Sequence, residues 1–474
     1  MRRAFSSVVP AAVRERFAGR YALGKNQAPV QKKAAAEFIR DGRATRVVGG
    51  ACSEVLGGKN LAGLLRAGFE LEQRAFAALE HGEPAEVLSI HTSAGVPEQL
   101  ETFIHALEPH LPITDQRGDW CVNLQAEGAS AVHAAIDMCL QASGQDPAQP
   151  RAKVGVATGL TSYHGPPSTS PGGGAPLGSR AKGLTLEAQY PVPTPFFRRR
   201  GEATDAFHER TLAAFRAYLD RHEHEIGVLL IEPQWGSSAA AMPWPPALLR
   251  AYVEACKGKG IPVISDEIMC GLGRHGQQPA RGGTGCFLAE SWDLDVDAVT
   301  FGKAIGGGAG HLLSGAALLK NASKLQGSSQ GTALQSHTYA GSSARALLNG
   351  ATLLDALPTY RPHVQALGVV IGDILDDLSE RSDGAIITHG QGCKWGGIFA
   401  HEDVRACQAA NTIFKAKCAE AAVLPYFVPI GGFMLTPHYD DDVNATSAAI
   451  TDLADAALAT AREMNWAPSV LITK

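Results

Sequence analysis

The chain lacks most of the features that mark disulfide-stapled, membrane-spanning or nucleic-acid-binding proteins. Its 474 residues include nine cysteines. They are Cys52, Cys121, Cys139, Cys256, Cys270, Cys286, Cys393, Cys407 and Cys418, an odd number with no Cys-x-x-Cys pair. That pattern argues against a disulfide framework and against a zinc site, and for a reducing compartment. No apolar run approaches the ~20 residues of a membrane span. There is no basic excess either: the formal net charge is −5, which leaves no electrostatic footprint for nucleic acid or an anionic membrane. Internal repeats and coiled-coil heptads are also missing.

Glycine, in contrast, is abundant at 52 residues, which fits many tight turns and close backbone approaches. Hydrophobic residues are 45% and charged residues 19%, the balance of a globular chain. The length exceeds one ordinary core and predicts a large domain with a smaller companion. The expected division is an N-terminal segment, 1–85, joining the small domain; a large domain, 86–355; and a C-terminal small domain, 356–474. The first twenty residues are Arg-rich with one acid, Glu15. Such a stretch suits either a basic first helix in a cytoplasmic protein or a mitochondrial or plastid transit peptide.

From Trp120 onward, short apolar runs alternate with helical spacing. Trp120–Leu124, Val154–Ala157, Val228–Ile231, Pro262–Ser265 and Ala298–Gly302 read as strands. Thr204–His222 and Leu248–Cys256 read as helices. Units of this length imply parallel strands with right-handed crossovers. Residues 166–183 are rich in Pro, Gly and Ser and read as a lid loop. Lys32–Arg40 reads as helical, and a helix is expected from Ala344 to Leu357. Strands at Ala385–Thr388, Trp395–Phe399 and Phe433–Thr436 then form an α+β piece.

Two of the buried strands deliver chemistry. The first ends in Asp266-Glu267 and the second is followed by Lys303 and three glycines, Gly306–Gly308. Ligands in open α/β sheets bind outside the carboxyl ends of the strands. A lysine and an aspartate together there match the needs of pyridoxal phosphate, which a lysine holds as a Schiff base and an Asp holds at the pyridinium nitrogen. The lysine is expected to be partly desolvated, which favours the neutral nucleophile. Gly128-Ala129-Ser130 opens a helix and offers free N–H groups to a phosphate; a plain Ser cap is the alternative. Gly271-x-Gly273-x-x-Gly276 matches a dinucleotide fingerprint by letter. Pro279, Gly282 and Gly283 follow where that fingerprint needs a helix, so it reads as a turn. Cys270 reads as a small buried residue, with a reactive thiol as the alternative. His275 reads as a surface histidine and Arg198-Arg199-Arg200 as a solvated run.

These strings resemble the class III aminotransferases, pyridoxal-phosphate enzymes of fold type I. The resemblance rests on Ile231-Glu232-Pro233-Gln234-Trp235-Gly236, on Ser265-Asp266-Glu267-Ile268 through Arg274, and on Thr300-Phe301-Gly302-Lys303-Ala304. Ser162-Tyr163-His164-Gly165 and His337-Thr338-Tyr339-Ala340-Gly341 complete it. It is good from about 120 to 350 and implies an α/β large domain with a mostly parallel sheet between helices, plus a smaller α+β domain. It also implies roles. Lys303 would form the Schiff base and shuttle the proton, and Asp266 would bind the pyridine nitrogen. Ile268 and Tyr163 would pack on the two ring faces, with His164 beside Tyr163. Gly128 and Ala129, with Ser130 next to them, would hold the phosphate. Glu232 would support the network. Thr338 would reach the neighbouring subunit's cofactor, implying a homodimer with shared sites.

The implied reaction is ping-pong amino transfer from an amine donor to a keto acid or aldehyde. A mutase, racemase or decarboxylase of the same fold, or an inactive cofactor-binding homologue, are the alternatives. Three departures stand out, one being that the family's N-terminal Asp-x-x-Gly…Tyr-x-Asp segment, which commonly lines the substrate side, is not recognisable in residues 25–70. The phosphate loop reads Glu127-Gly128-Ala129-Ser130-Ala131, where the family has Ser-Gly-Ser/Thr-Glu-Ala. No Lys or Arg occurs between Lys417 and Arg462, where the family places a carboxylate-docking arginine. Tyr426, Phe427 and Phe433 stand there instead, which suggests a substrate with an apolar tail.

Overall fold

The computed structural model describes residues 37–40, 43–49, 54–90, 95–112, 118–145, 153, 155–159, 162–165, 189–193, 198–199, 201–280, 283–308, 310–326, 341, 343–401, 404–465 and 471–472. The expected lid loop, Thr338 and the Arg-rich first residues lie outside them.

Seven strands form the main sheet. In spatial order they are Cys121–Gln125, Ser314–Leu318, Ala298–Phe301, Val263–Asp266, Ile226–Ile231, Gly155–Gly159 and Gln189–Val192. All neighbours from Ala298–Phe301 outward to Gln189–Val192 pair in parallel. Ser314–Leu318 runs antiparallel to both of its neighbours. The central strands are buried along their whole length, as expected of parallel strands covered on both faces. Alternate side chains feed two cores. Val228, Leu230, Ile264 and Ala298 meet Val132, Ala135 and Met138 of helix Gly128–Ala142. Leu229, Ile231, Val263 and Val299 enter the larger core on the other side.

Parallel pairing puts the carboxyl ends of these strands along one edge. That edge therefore collects Gln125 to Gly128, the Ser162–Gly165 loop, Glu232, Asp266 and Lys303. Topology brings them together from positions far apart in the chain.

The second unit is an antiparallel sheet in the order Ile386–Gln391, Lys394–Phe399, Gly432–Leu435, Tyr426–Phe427. Helices Val404–Glu420 and Val443–Met464 cover it. Residues Glu37–Arg40 form a strand rather than the expected helix. They pair with Arg43–Val47, which in turn pairs with Val423–Leu424. Hairpin pairing with Arg43–Val47 overrides the local helical preference of this stretch.

Helix Ala344–Arg381 links the two units and runs well past Leu357, through Pro358 and Pro362. The expected boundary at residue 355 falls inside it. Leu353, Leu354, Leu357, Val364 and Leu367 are all buried along this helix, so burial on both sides of the prolines offsets the ladder bonds they remove. Ser343 caps its start by accepting from the Ala346 N–H at 3.2 Å.

A clasp ties residues 54–60 to the C-terminal unit. Gly57 N–H and Asn60 Nδ2 both donate to the Asp440 carboxylate. His438 lies 3.4 Å from Asp441 Oδ1 and 3.9 Å from Glu54 Oε2. Burial alone would lower this imidazole, but its bonds to Asp441 and Glu54 and the charge of Asp440 raise it to about 9. A histidine raised on folding stabilises fully below its ordinary value of about 6.5, and that contribution is lost as pH rises through about 9. His438→Gln should therefore lower unfolding free energy by about 1–2 kcal/mol at pH 6. Denaturant unfolding of the two proteins should converge by about pH 10.

Candidate active site

Asp266 ends its strand with 4% of its surface exposed. A carboxylate buried this deeply needs partners, and the neighbouring strands supply them. Thr300, directly opposite Asp266 in the adjacent strand, donates its hydroxyl to Oδ1 at 2.8 Å. The Ile268 N–H donates to the same oxygen at 3.2 Å. His164 Nδ1 donates to Oδ2 at 2.5 Å, and its Nε2 is bonded to the Thr158 hydroxyl at 2.9 Å. Burial pulls the His164 imidazole down, but the bond to Asp266, with the charges of Asp266 and Glu232, leaves it raised. A carboxylate offers about four acceptor positions. Three are taken, which leaves one for a donor arriving from the open edge.

Thr300 and Thr158 do not stand out in the sequence. The signal that could have found them is a hydroxyl inside an otherwise apolar strand run, one residue before or beside a candidate acid. His164, grouped with the cofactor contacts in the sequence, sits behind Asp266 and is 2% exposed. Its place is to orient the carboxylate.

Glu232 is equally buried. Its oxygens accept from the Tyr163 and Gly236 N–H groups, each at 2.9 Å. Burial pushes its carboxyl upward, and the His164 charge offsets part of this. Glu267 turns away from the edge and caps helix Leu288–Ser291 through the Leu288 and Ala289 N–H groups at 2.6 and 2.7 Å. Burial still raises it to about 7. Cys270 is fully buried and its thiol is driven far up by that burial, so it is no reactive nucleophile. His275 is not at the surface: it is 1% exposed, and burial drives it down to about 3. Its Nδ1 accepts from the Gln277 N–H at 3.0 Å within the turn that carries the glycines. Leu272, Gly273 and Gly276 all take positive φ there, and no helix starts inside this turn. The dinucleotide reading fails on geometry as it does on sequence.

Ile268 forms the floor of a slot between two glycines. A side chain at Gly128 would begin 2.9 Å from Ile268 Cδ1. One at Gly302 would begin 2.8 Å from Ser314 Oγ and 3.3 Å from Ile268 Cγ2. Only glycine permits both approaches. The first intrahelical bond of helix Gly128–Ala142 runs from Ala131 N–H to Glu127 O, so the N–H groups of Gly128, Ala129 and Ser130 have no acceptor among the described residues. The Ser130 hydroxyl is turned to Glu127 at 3.4 Å. Tyr163 is 51% exposed. Burial, followed by nearby Tyr426 and Glu127, raises its phenol.

Lys303 follows the strand at φ 54 and opens a short 3-10 turn, Lys303–Gly306. A bulky residue there is strained by about 1–3 kcal/mol, a cost typical of functional positions. Its side chain is exposed. The partial desolvation expected from the sequence is not provided by this chain's own residues, because the strand ends two positions earlier and leaves the lysine on the open edge.

The three C-terminal aromatics separate. Phe433 is 0% exposed, lying on Gly397 and 5.7 Å from the Phe414 ring; it belongs to the small-domain core, not to a substrate surface. Phe427 also turns to that core, 5.6 Å from Phe414 with Lys415 over its ring. Tyr426, on the opposite face of the same strand, is exposed and near Tyr163. Thr338 lies outside the described residues.

The model of the family described as "Aminotransferase class-III" matches residues 78–412. The chain belongs to the class III aminotransferases. Among curated relatives, this class III member is 28% identical over 225 residues to an acetylornithine aminotransferase of Halalkalibacterium halodurans, covering 45% of the chain and 50% of that protein. It is 27% identical over 240 residues to a glutamate-1-semialdehyde 2,1-aminomutase of Prosthecochloris aestuarii, covering 50% and 48%. The chain thus spans about half the length of the curated relatives it matches. Its fold is similar to a PMP-bound aminotransferase from Vibrio fluvialis, with TM-score 0.73, 19% identity and coverage of 91% and 92%. An omega-aminotransferase from Paracoccus denitrificans gives TM-score 0.77 at 17% identity, covering 96% and 99%. These solved structures share the fold type I architecture.

Pyridoxal phosphate fits what is present: an acceptor position open on a buried aspartate, a glycine-walled slot over Ile268, three free amides at one end and a lysine at the other. Among the described residues no cluster could hold a metal ion, and no helix is long and apolar enough to cross a membrane.

The support of Asp266 is measurable without any ligand. Thr300→Val removes a hydrogen bond to a buried charge and should cost about 1.5–3 kcal/mol of unfolding free energy. Thr300→Ser should cost under about 1 kcal/mol. Denaturant titration of the two variants checks this; equal stability of Thr300→Val and wild type would remove Thr300 from the network.

Proposed function

We propose that the chain is a pyridoxal-phosphate-dependent transaminase, taking an amino group from an amine or amino acid and passing it to a keto acid or aldehyde in two half-reactions. The observation that supports this best is the placement of Asp266 and Lys303. They end adjacent parallel strands and flank the Ile268 slot.

The cofactor, when bound, supplies a ring that draws electrons from the carbon beside the substrate nitrogen. The chain's own residues set the conditions for that. Asp266 accepts the pyridine N–H at its free position, while Thr300, His164 and the Ile268 N–H fix its orientation. The His164 Nδ1–H donated to Oδ2 holds the carboxylate from behind and leaves its open position to the ring. Ile268 packs under the ring and Tyr163 covers its other face. The Gly128 and Ala129 N–H groups hold the phosphate. Lys303 Nζ would hold the cofactor's aldehyde carbon, and its amine would serve as the base that carries the proton. Glu232 fixes the Tyr163 backbone over the slot.

A homodimer with shared sites is part of the same reading. Lys303 is exposed in the single chain. Helix Gly58–Glu80 leaves Phe69, Phe76 and Leu79 exposed, and Leu312 is 71% exposed close to the glycines that follow Lys303. Apolar surface of this kind marks a contact between protein copies. On substrate, two of three aromatics suggested for an apolar tail are core residues, so only Tyr426 still supports that preference. An aminomutase, the activity named for the Prosthecochloris aestuarii relative, would use the same residues of this chain; release of one keto product per donor consumed separates the two.

The test is spectroscopic. Purified chain with pyridoxal phosphate should show visible absorbance of a lysine-linked cofactor, absent in Lys303→Ala. Adding amines from a donor panel should bleach it in wild type with release of the matching keto compound. A chain that binds the cofactor without bleaching by any donor would contradict transamination.

A further inference from the structure

The phosphate end of the slot contains a charge that opposes its purpose. Helix Gly128–Ala142 opens with three amides that have no acceptor among the described residues, and such a helix start attracts anions. Yet the residue in the capping position, Glu127, is itself an anion. Its backbone is extended, at φ −141 and ψ 159, and its side chain caps none of the amides. Instead its Oε1 accepts from Ser130 Oγ at 3.4 Å. That hydroxyl is the one side-chain donor within the turn. Glu127 is exposed and lies near Tyr163, and Gly128 beside it lies against Ile268.

A phosphate seated on the Gly128, Ala129 and Ser130 amides would therefore lie within the same helical turn as a carboxylate, with the Ser130 hydroxyl already engaged. A phosphate monoester loses its second proton near pH 6, and the dianion meets twice the repulsion of the monoanion. A cradle of amides alone would favour the dianion.

We propose that Glu127 is an affinity-setting residue of the cofactor site, which weakens the hold on the phosphate dianion so that this chain exchanges its cofactor with solution. The inference rests on the pyridoxal-phosphate reading above. It predicts that removing the charge tightens binding of the phosphorylated cofactor and leaves its unphosphorylated form untouched.

Dissociation constants for pyridoxal phosphate and for pyridoxal, measured by visible absorbance titration of apo chain at pH 5.5 and pH 8, provide the test. Their ratio isolates the phosphate, because both ligands react with the same lysine. Glu127→Gln should raise the preference for the phosphorylated form about tenfold at pH 8 and less at pH 5.5. Glu127→Asp, which keeps the charge, should stay within about twofold of wild type. An unchanged or lowered preference in Glu127→Gln, with pyridoxal phosphate still bound, overturns the role of Glu127 alone. Absence of any lysine-linked absorbance in wild type and variants at both pH values overturns the cofactor reading, and this inference with it.

Discussion

The hydrogen bonding of one buried carboxylate sets the layout of this molecule. Asp266 lies almost wholly out of water, and isolating its charge there would be prohibitive. Its partners come from three separate strands or their ends: Thr300 from one neighbour, His164 beyond the end of Gly155–Gly159, and the Ile268 amide from its own chain. The parallel register must hold for these groups to meet. A one-residue slip would turn Thr300 to the opposite face. The same register lines up Glu232 and brings the chain to Lys303, so the structural requirement of Asp266 also assembles the rest of the edge.

A second requirement joins the two units. Lys394, fully buried, donates to the Gln234 carbonyl at 3.0 Å, and the Gln234 side chain returns a bond to the Lys394 carbonyl at 3.0 Å. His389 bonds the Ala240 carbonyl at 2.8 Å, and Gly396 admits that carbonyl where any side chain would clash. The segment held in this way, Gln234 to Ala241, supplies the Gly236 N–H to Glu232. The antiparallel sheet therefore positions an acid of the large domain, and the active edge depends on both units packing together.

Much of this was legible in the sequence, for physical reasons. Continuous apolar runs such as Ile226–Ile231 announce strands covered on both faces, and their βα spacing fixes parallel pairing. Asp266, Lys303 and Gly128 were legible because their residue types are costly or unusual where they stand. The failures are also instructive. The helix expected to end at Leu357 runs on through Pro358 and Pro362, carried by its packing. Phe433 and His275 read as surface or site residues because burial is a property of the fold, not of the residue type. Glu37–Arg40 became a strand through hairpin pairing with Arg43–Val47, which is itself held by Val423–Leu424 from far along the chain. Thr300 and Thr158 stayed hidden because a hydroxyl in a strand means nothing until its acceptor is placed beside it. Lys303 is exposed because its strand ends two residues earlier, at Phe301.

The state of the pyridine nitrogen bears most directly on the role of Asp266. Nitrogen-15 NMR of ring-labelled pyridoxal phosphate bound to the chain reports it. A protonated nitrogen in wild type, with the resonance moving to the unprotonated position in Asp266→Asn, is the predicted result. A nitrogen unprotonated in wild type, or a resonance that Asp266→Asn leaves in place, would contradict the assignment of Asp266 as the residue around which the site is built.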